Sequence, residues 1–127
     1  SEYGVVWQDI RDTQDIWFVR VGRAGGLNGA ESVIAPAALL SSSPSITWDG
    51  ARFGVSWYDR RPGNDEIYFA RVSAQGVVGA AHRLSNGAGI SYLPWLVNNG
   101  REYGVFWYDA RDGNQEIYFT HGPFGCP

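Results

Sequence analysis

Lysine and methionine are absent from this chain of 127 residues, and cysteine occurs once, as Cys126. Without lysine there is no Schiff-base chemistry and no P-loop lysine, and the ten arginines supply every permanent side-chain cation as a planar guanidinium. A single cysteine excludes an intrachain disulfide and a thiolate metal cluster within one chain, so Cys126 is expected to be free or paired between chains. With no methionine, Ser1 is not expected to be a translation start, and a signal peptide, a longer polypeptide or a tag is expected upstream. There is also no run of like charge: ten Arg stand against thirteen Asp plus Glu. Neutralising a phosphate backbone needs clustered cations, so nucleic acid is not an expected partner. No apolar stretch approaches the roughly 20 residues of a spanning helix. The chain is expected to be soluble, without membrane insertion.

Aromatic and β-branched residues are plentiful, and they recur. Tyr3-Gly4-Val5-Val6-Trp7-Gln8-Asp9-Ile10-Arg11 returns as Phe53-Gly54-Val55-Ser56-Trp57-Tyr58-Asp59-Arg60-Arg61 and as Tyr103-Gly104-Val105-Phe106-Trp107-Tyr108-Asp109-Ala110-Arg111, fifty residues apart each time. A second block follows each copy, from Asp15-Ile16-Trp17-Phe18 through Glu66-Ile67-Tyr68-Phe69 to Glu116-Ile117-Tyr118-Phe119. Weaker matches relate Pro44–Gly50 to Pro94–Gly100, and Glu31-Ser32-Val33-Ile34 to His82-Arg83-Leu84-Ser85. A full period therefore holds four short segments bounded by Gly, Pro, Asn or Asp, the pattern of strands. The one helix candidate, from Ala35 to Leu40, is short and interrupted by Pro36, and reads as a loop.

Asp49-Gly50 and Asn99-Gly100 are dipeptides that accept positive φ at both central positions of a tight hairpin. Longer polar turns such as Asp109-Ala110-Arg111-Asp112-Gly113-Asn114 link the next pair of strands. The result is a four-stranded antiparallel meander repeating about every fifty residues, the signature of a β-propeller blade. Along the second strand Tyr103, Val105, Trp107 and Asp109 share one face while Phe106 and Tyr108 share the other, so both faces are apolar, as in blades stacked around an axis. The expected fold is all-β, about two and a half blades in one partial propeller, with repeats over 1–43, 44–93 and 94–127. The strand order, three then four then three, cannot close a ring.

The run Tyr108-Asp109-Ala110-Arg111-Asp112-Gly113-Asn114-Gln115-Glu116-Ile117-Tyr118, with the Asp-Gly or Asn-Gly turns before it, resembles the TolB-type, WD40-like propeller repeat. The similarity spans nearly the whole chain, although Pro62 replaces the turn Asp in the second copy and Thr13 replaces the Gly in the first. The resemblance implies a propeller, often of about six blades, in bacterial proteins that are exported to the periplasm, cell surface or medium. It implies no single activity, because propellers serve enzymes, lectins and scaffolds alike. The Trp two residues before each Asp departs from that family and leans towards sialidase-like and lectin-like relatives, whose Ser-x-Asp-x-Gly-x-Thr-Trp box is missing here.

The repeated pairs Asp9/Arg11, Asp59/Arg61 and Asp109/Arg111 are candidates for an anionic or polyhydroxylated ligand. The competing reading is structural and favoured: a carboxylate accepting N–H groups of its own turn, with an Arg bridging to the neighbouring blade. Arg111 at the third position of its turn argues against calcium. His82 and His121 have no histidine counterparts and no metal-ligand or nucleophile spacing. Among unrepeated residues, Trp95 and Tyr92 are candidates to stack on a sugar face, with core filling the competing role. Every prominent acid recurs in the repeats, so no asymmetric catalytic constellation is expected, and neither is a metal or cofactor.

The expectation is thus a non-enzymatic binding or assembly module with a glycan or protein ligand. The alternative is a carbohydrate-active propeller, sialidase-like or otherwise glycoside-processing, or a lectin. Uncapped end repeats would leave Trp, Tyr and Val faces open, so more blades are expected from a longer propeller or from self-association. A twofold closed ring is the favoured form, and a non-closing version of the same contact would build a filament.

Overall fold

The computed structural model describes residues 1–35 and 40–124. Most of the expected loop from Ala35 to Leu40, and Cys126, lie outside the described residues. Ten strands form three antiparallel meanders, with no helix among the described residues. Sheet 1 contains β1 (Glu2–Ile10), β2 (Gln14–Gly22) and β3 (Ser32–Val33). Sheet 2 contains β4 (Ser42–Trp48), β5 (Arg52–Asp59), β6 (Glu66–Ser73) and β7 (His82–Arg83). Sheet 3 contains β8 (Ser91–Asn98), β9 (Tyr103–Asp109) and β10 (Glu116–Gly122). The sheets therefore hold three, four and three strands, the order expected from the repeat.

Two details differ from the sequence reading. Val33 pairs with Trp17 as Arg83 pairs with Tyr68, so Val33 is the equivalent of Arg83, one residue away from the expected match of Ser32 with Arg83. Two-residue strands carry too little pattern to fix a register, and the backbone does so instead: Ile34 N–H bonds Ile16 O as Leu84 N–H bonds Ile67 O. The β4–β5 turn is also displaced by one. Only Gly50 takes positive φ, at 101°. Asp49 precedes it as a cap whose Oδ1 accepts from the N–H groups of Ala51 and Arg52 at 2.8 and 2.7 Å. Glycine at the first central position suits a primed hairpin turn, because that turn matches the twist of the strands.

Strand parity gives each sheet two faces. In sheet 2 the leading face carries Phe53, Val55 and Trp57 with Tyr68, Ala70 and Val72. It packs on Val6, Ile16, Phe18 and Ile34 of sheet 1. The trailing face of sheet 2, with Ile67 and Phe69, packs on Tyr103, Val105, Trp107 and Leu96 of sheet 3. Sheet 2 is consequently buried on both faces, each large apolar side chain contributing roughly 1.5–3 kcal/mol. One device recurs at both junctions. A Cβ on Gly4 would lie 2.6 Å from the Phe53 ring, and one on Gly54 would overlap the Tyr103 ring. Sheets 1 and 2 thus each offer a glycine hollow on the trailing face, filled by an aromatic knob from the leading face of the next sheet.

Candidate functional site

The turns joining β1 to β2, β5 to β6 and β9 to β10 are each built around an aspartate. Asp59 is fully buried. It accepts from the indole of Trp57 at 2.9 Å, and from the backbone N–H, Nε and Nη2 of Arg61 at 3.1, 3.0 and 2.6 Å. Asp109 repeats this with Trp107 at 2.9 Å and Arg111 Nε and Nη2 at 2.8 and 2.6 Å, and adds the hydroxyl of Ser91 at 2.8 Å. Asp9 keeps the indole of Trp7 at 3.1 Å and Arg11 Nε at 2.9 Å. The Arg111 guanidinium foremost, then the Trp107 and Ser91 donors, hold the Asp109 carboxyl well below the usual range. Asp9 is lowered too, chiefly by the Trp7 indole.

The expected bridging of these arginines to neighbouring sheets is not what they do. Arg61 folds back over Tyr68, Arg111 over Tyr118 and Arg11 over Trp17, with guanidinium carbons 4.1, 4.2 and 4.2 Å from the ring centroids of their own sheets. Arg61 and Arg111 each combine a bidentate grip on the aspartate two residues away with a stacking ring, while Arg11 gives Nε to Asp9 and Nη1 to Glu31 at 2.7 Å. Bridging between sheets falls to other arginines: Arg20 Nη1 donates to Ala74 O at 3.0 Å, and Arg71 to Pro123 O. His121 occupies the third position of this series, bonding Glu102 at 3.0 Å.

Tyr92 and Trp95 converge on one ring. Tyr92 stacks on Tyr108 at 5.8 Å, and Trp95 meets the same ring edge-on at 5.9 Å. Between them β8 carries a bulge with Leu93 at φ 51°, as β4 does with Ser43 at φ 53°. Trp95 is 52% exposed because it projects from the trailing face of sheet 3, on which no further sheet packs among the described residues. Among the described residues no His, Cys, Asp and Glu side chains are grouped as metal ligands.

The features the sequence reading left unassigned are the two outer faces. On the leading face of sheet 1 Tyr3 is 66% exposed, whereas its equivalent Tyr103 is 2% exposed. On the trailing face of sheet 3 Ile117 and Phe119 are 59% and 51% exposed, whereas Ile67 and Phe69 are fully buried. A groove of about 300 Å³ runs over Gly104, bounded by Val97, Asn99, Phe106, Phe119 and His121. A larger groove, about 590 Å³, opens not on an outer face but at the junction of sheets 1 and 2, beside Tyr3, Gly4, Ile46 and Trp48. The chain matches no model of a known protein family, and no curated protein is significantly similar to it.

Proposed function

We propose that this chain is a non-enzymatic assembly module: consecutive blades of a β-propeller whose ring is completed by further sheets of the same repeat. The likeness of its turns to the TolB-type repeat supports that reading, and with it goes the proposal that the protein is exported. The observation that carries it is the equivalence of the two outer faces with the halves of the interior junctions. Gly104 on the outer trailing face corresponds to Gly54, the hollow that receives Tyr103. Tyr3 on the outer leading face corresponds to Tyr103, the knob. Tyr103 also donates its phenolic O–H to Asp49 at 2.6 Å, and Asn99, the equivalent of Asp49, borders the groove over Gly104.

Knob, hollow and acceptor are thus all present on the two open faces, and sheet 3 exposes Trp95, Val97, Phe106, Ile117 and Phe119 on its trailing face. Patches of that kind mark interaction surfaces. In a solution of residues 1–127 the missing sheet comes from a second copy, stacked head to tail. Two copies whose contacts close give a six-sheet ring, and a non-closing rotation gives a filament.

Light scattering over a range of concentrations tests this. A mass that is a multiple of 14.0 kDa is expected, reverting to the monomer in Tyr3→Ala and Phe119→Glu. A wild-type chain that stays at 14.0 kDa throughout would sink the proposal.

A further inference from the structure

The unpaired edge of β10 raises a separate question, and the answer builds on the reading of the three sheets as one repeat. We infer that this edge accepts an extended strand carrying Arg-x-Ser or Arg-x-Thr, with Glu116 as its charged receptor.

Sheet 2 shows what such an edge takes. Glu66, at the start of β6, is fully buried and accepts from Arg83 Nη2 at 2.7 Å, from the Ser85 hydroxyl and from Asn64 Nδ2 at 3.0 Å. The Ser85 oxygen in turn accepts the Ile67 N–H at 2.8 Å, and Leu84 N–H bonds Ile67 O at 2.7 Å. Three consecutive residues therefore neutralise the carboxylate, satisfy one peptide group of the edge and place Leu84 against the core. Burying Glu66 would be costly without this set of partners.

Sheet 3 has the receptor half of the same arrangement. Glu116 faces Asp109 in the register that sets Glu66 opposite Asp59, and Asn114 donates to Glu116 at 3.0 Å as Asn64 does to Glu66. No fourth strand covers β10 among the described residues, and Glu116 is exposed. Ile117, the equivalent of Ile67, presents its peptide group to the open edge.

Sheet 1 supplies the contrast. Its acid is Asp15, one methylene shorter, and Val33 and Ala35 stand where sheet 2 has Arg83 and Ser85. Asp15 takes its hydrogen bond from Thr13 within the turn. Glutamate goes with Arg and Ser, aspartate with Val and Ala, and sheet 3 carries the glutamate. Every Arg-x-Ser or Arg-x-Thr in the chain is already placed, in β6, at β7 or in the Arg11–Thr13 turn. The strand therefore comes from outside the described residues. Main-chain pairing supplies its affinity and the Glu116 contact its selectivity, as in other strand additions.

The test appends Ala-His-Arg-Leu-Ser-Asn, the sequence of residues 81–86, to the full chain after Pro127 through a flexible Gly-Ser linker, which raises its local concentration. Amide exchange of Ile117, read by NMR, is expected to slow by about tenfold relative to the same extension written Ala-His-Ala-Leu-Ala-Asn. Glu116→Gln is expected to lose most of that difference. Equal exchange with both extensions, or a difference indifferent to Glu116→Gln, overturns the inference. Solution mass measured on the same samples separates the two ideas. Self-association with an unprotected Ile117 removes the strand site and leaves the assembly module standing. A protected Ile117 in a strictly monomeric chain does the reverse.

Discussion

The phenol of Tyr103 in β9 donates a 2.6 Å hydrogen bond to the carboxylate of Asp49 at the tip of the β4–β5 turn, so the residue that fills the hollow over Gly54 also ties sheet 3 to sheet 2. Burial, and then this bond, push the Tyr103 phenol well above its ordinary value. A raised phenol pKa means that the folded state holds its proton more tightly. Its contribution to stability is complete below the unfolded value of about 10 and is lost as pH rises from there towards the folded value. Tyr103→Phe is expected to cost about 1–2 kcal/mol at neutral pH. It should also flatten, without abolishing, the loss of stability as pH rises above about 10, since Tyr68 and Tyr118 are raised as well. Urea unfolding at several pH values measures both effects.

The aspartates of the three turns offer a graded series. Asp109 is buried among Trp107, Ser91 and Arg111, while Asp9 lies at an open face. Asp109→Ala leaves an indole and a hydroxyl without an acceptor, at a cost of at least about 2 kcal/mol. Asp9→Ala should lower the melting temperature least of the three. Because the folded carboxyls of Asp9 and Asp109 sit below their unfolded values, their contribution is present above about pH 4 and is lost as pH falls below it. Thermal melts from pH 6 down to pH 2 should show an acid limb that is shallower in Asp109→Asn than in the wild type.

Glycine hollows distinguish an interior junction from an outer face. Gly54→Ala drives a methyl group into the Tyr103 ring, with Phe69 3.0 Å away, and should destabilise the fold by about 1–3 kcal/mol. At Gly104 the same methyl would lie 2.9 Å from Cε2 of Phe119, whose ring is half exposed and has no neighbouring sheet against it among the described residues. Gly104→Ala should leave the melting temperature of the isolated chain close to that of the wild type and weaken self-association. Calorimetry and light scattering on the two variants separate the effects.

Trp95 poses a choice between sugar stacking and sheet stacking. Its equivalent in sheet 2 is Ser45, whose hydroxyl accepts the Leu96 N–H of the next sheet at 3.0 Å. Trp95→Ser should therefore change the strength of association while preserving the fold. A glycan array on which the wild type binds and Trp95→Ser does not, at equal oligomeric state, would favour the carbohydrate reading instead.

Much of this architecture was written locally. The Trp-x-Asp-x-Arg blocks and the glycines before them recur because each sheet needs the same indole, carboxylate and guanidinium to close its turn, and periodicity exposes such needs. The direction of the arginines was not legible, because a guanidinium two residues from an aspartate reads the same whether it folds back or reaches across. The fourth strands were misaligned by one residue, since two paired positions such as Ser32 and Val33 hold no alternation to read. The hollow-and-knob contact was hidden for a different reason. Gly54 and Tyr103 lie forty-nine residues apart and meet only once two sheets are stacked, so nothing in the sequence around the repeated glycine points to the ring that fills it.

The inward fold of Arg61 and Arg111 carries one more consequence. Their charges are settled inside each meander, and neighbouring meanders meet through an aromatic ring on a glycine. A blade can then be duplicated, deleted or exchanged within such a chain without stranding an ion pair in the core. Copy number becomes free to drift over evolutionary time, while the chemistry of each aspartate turn stays fixed.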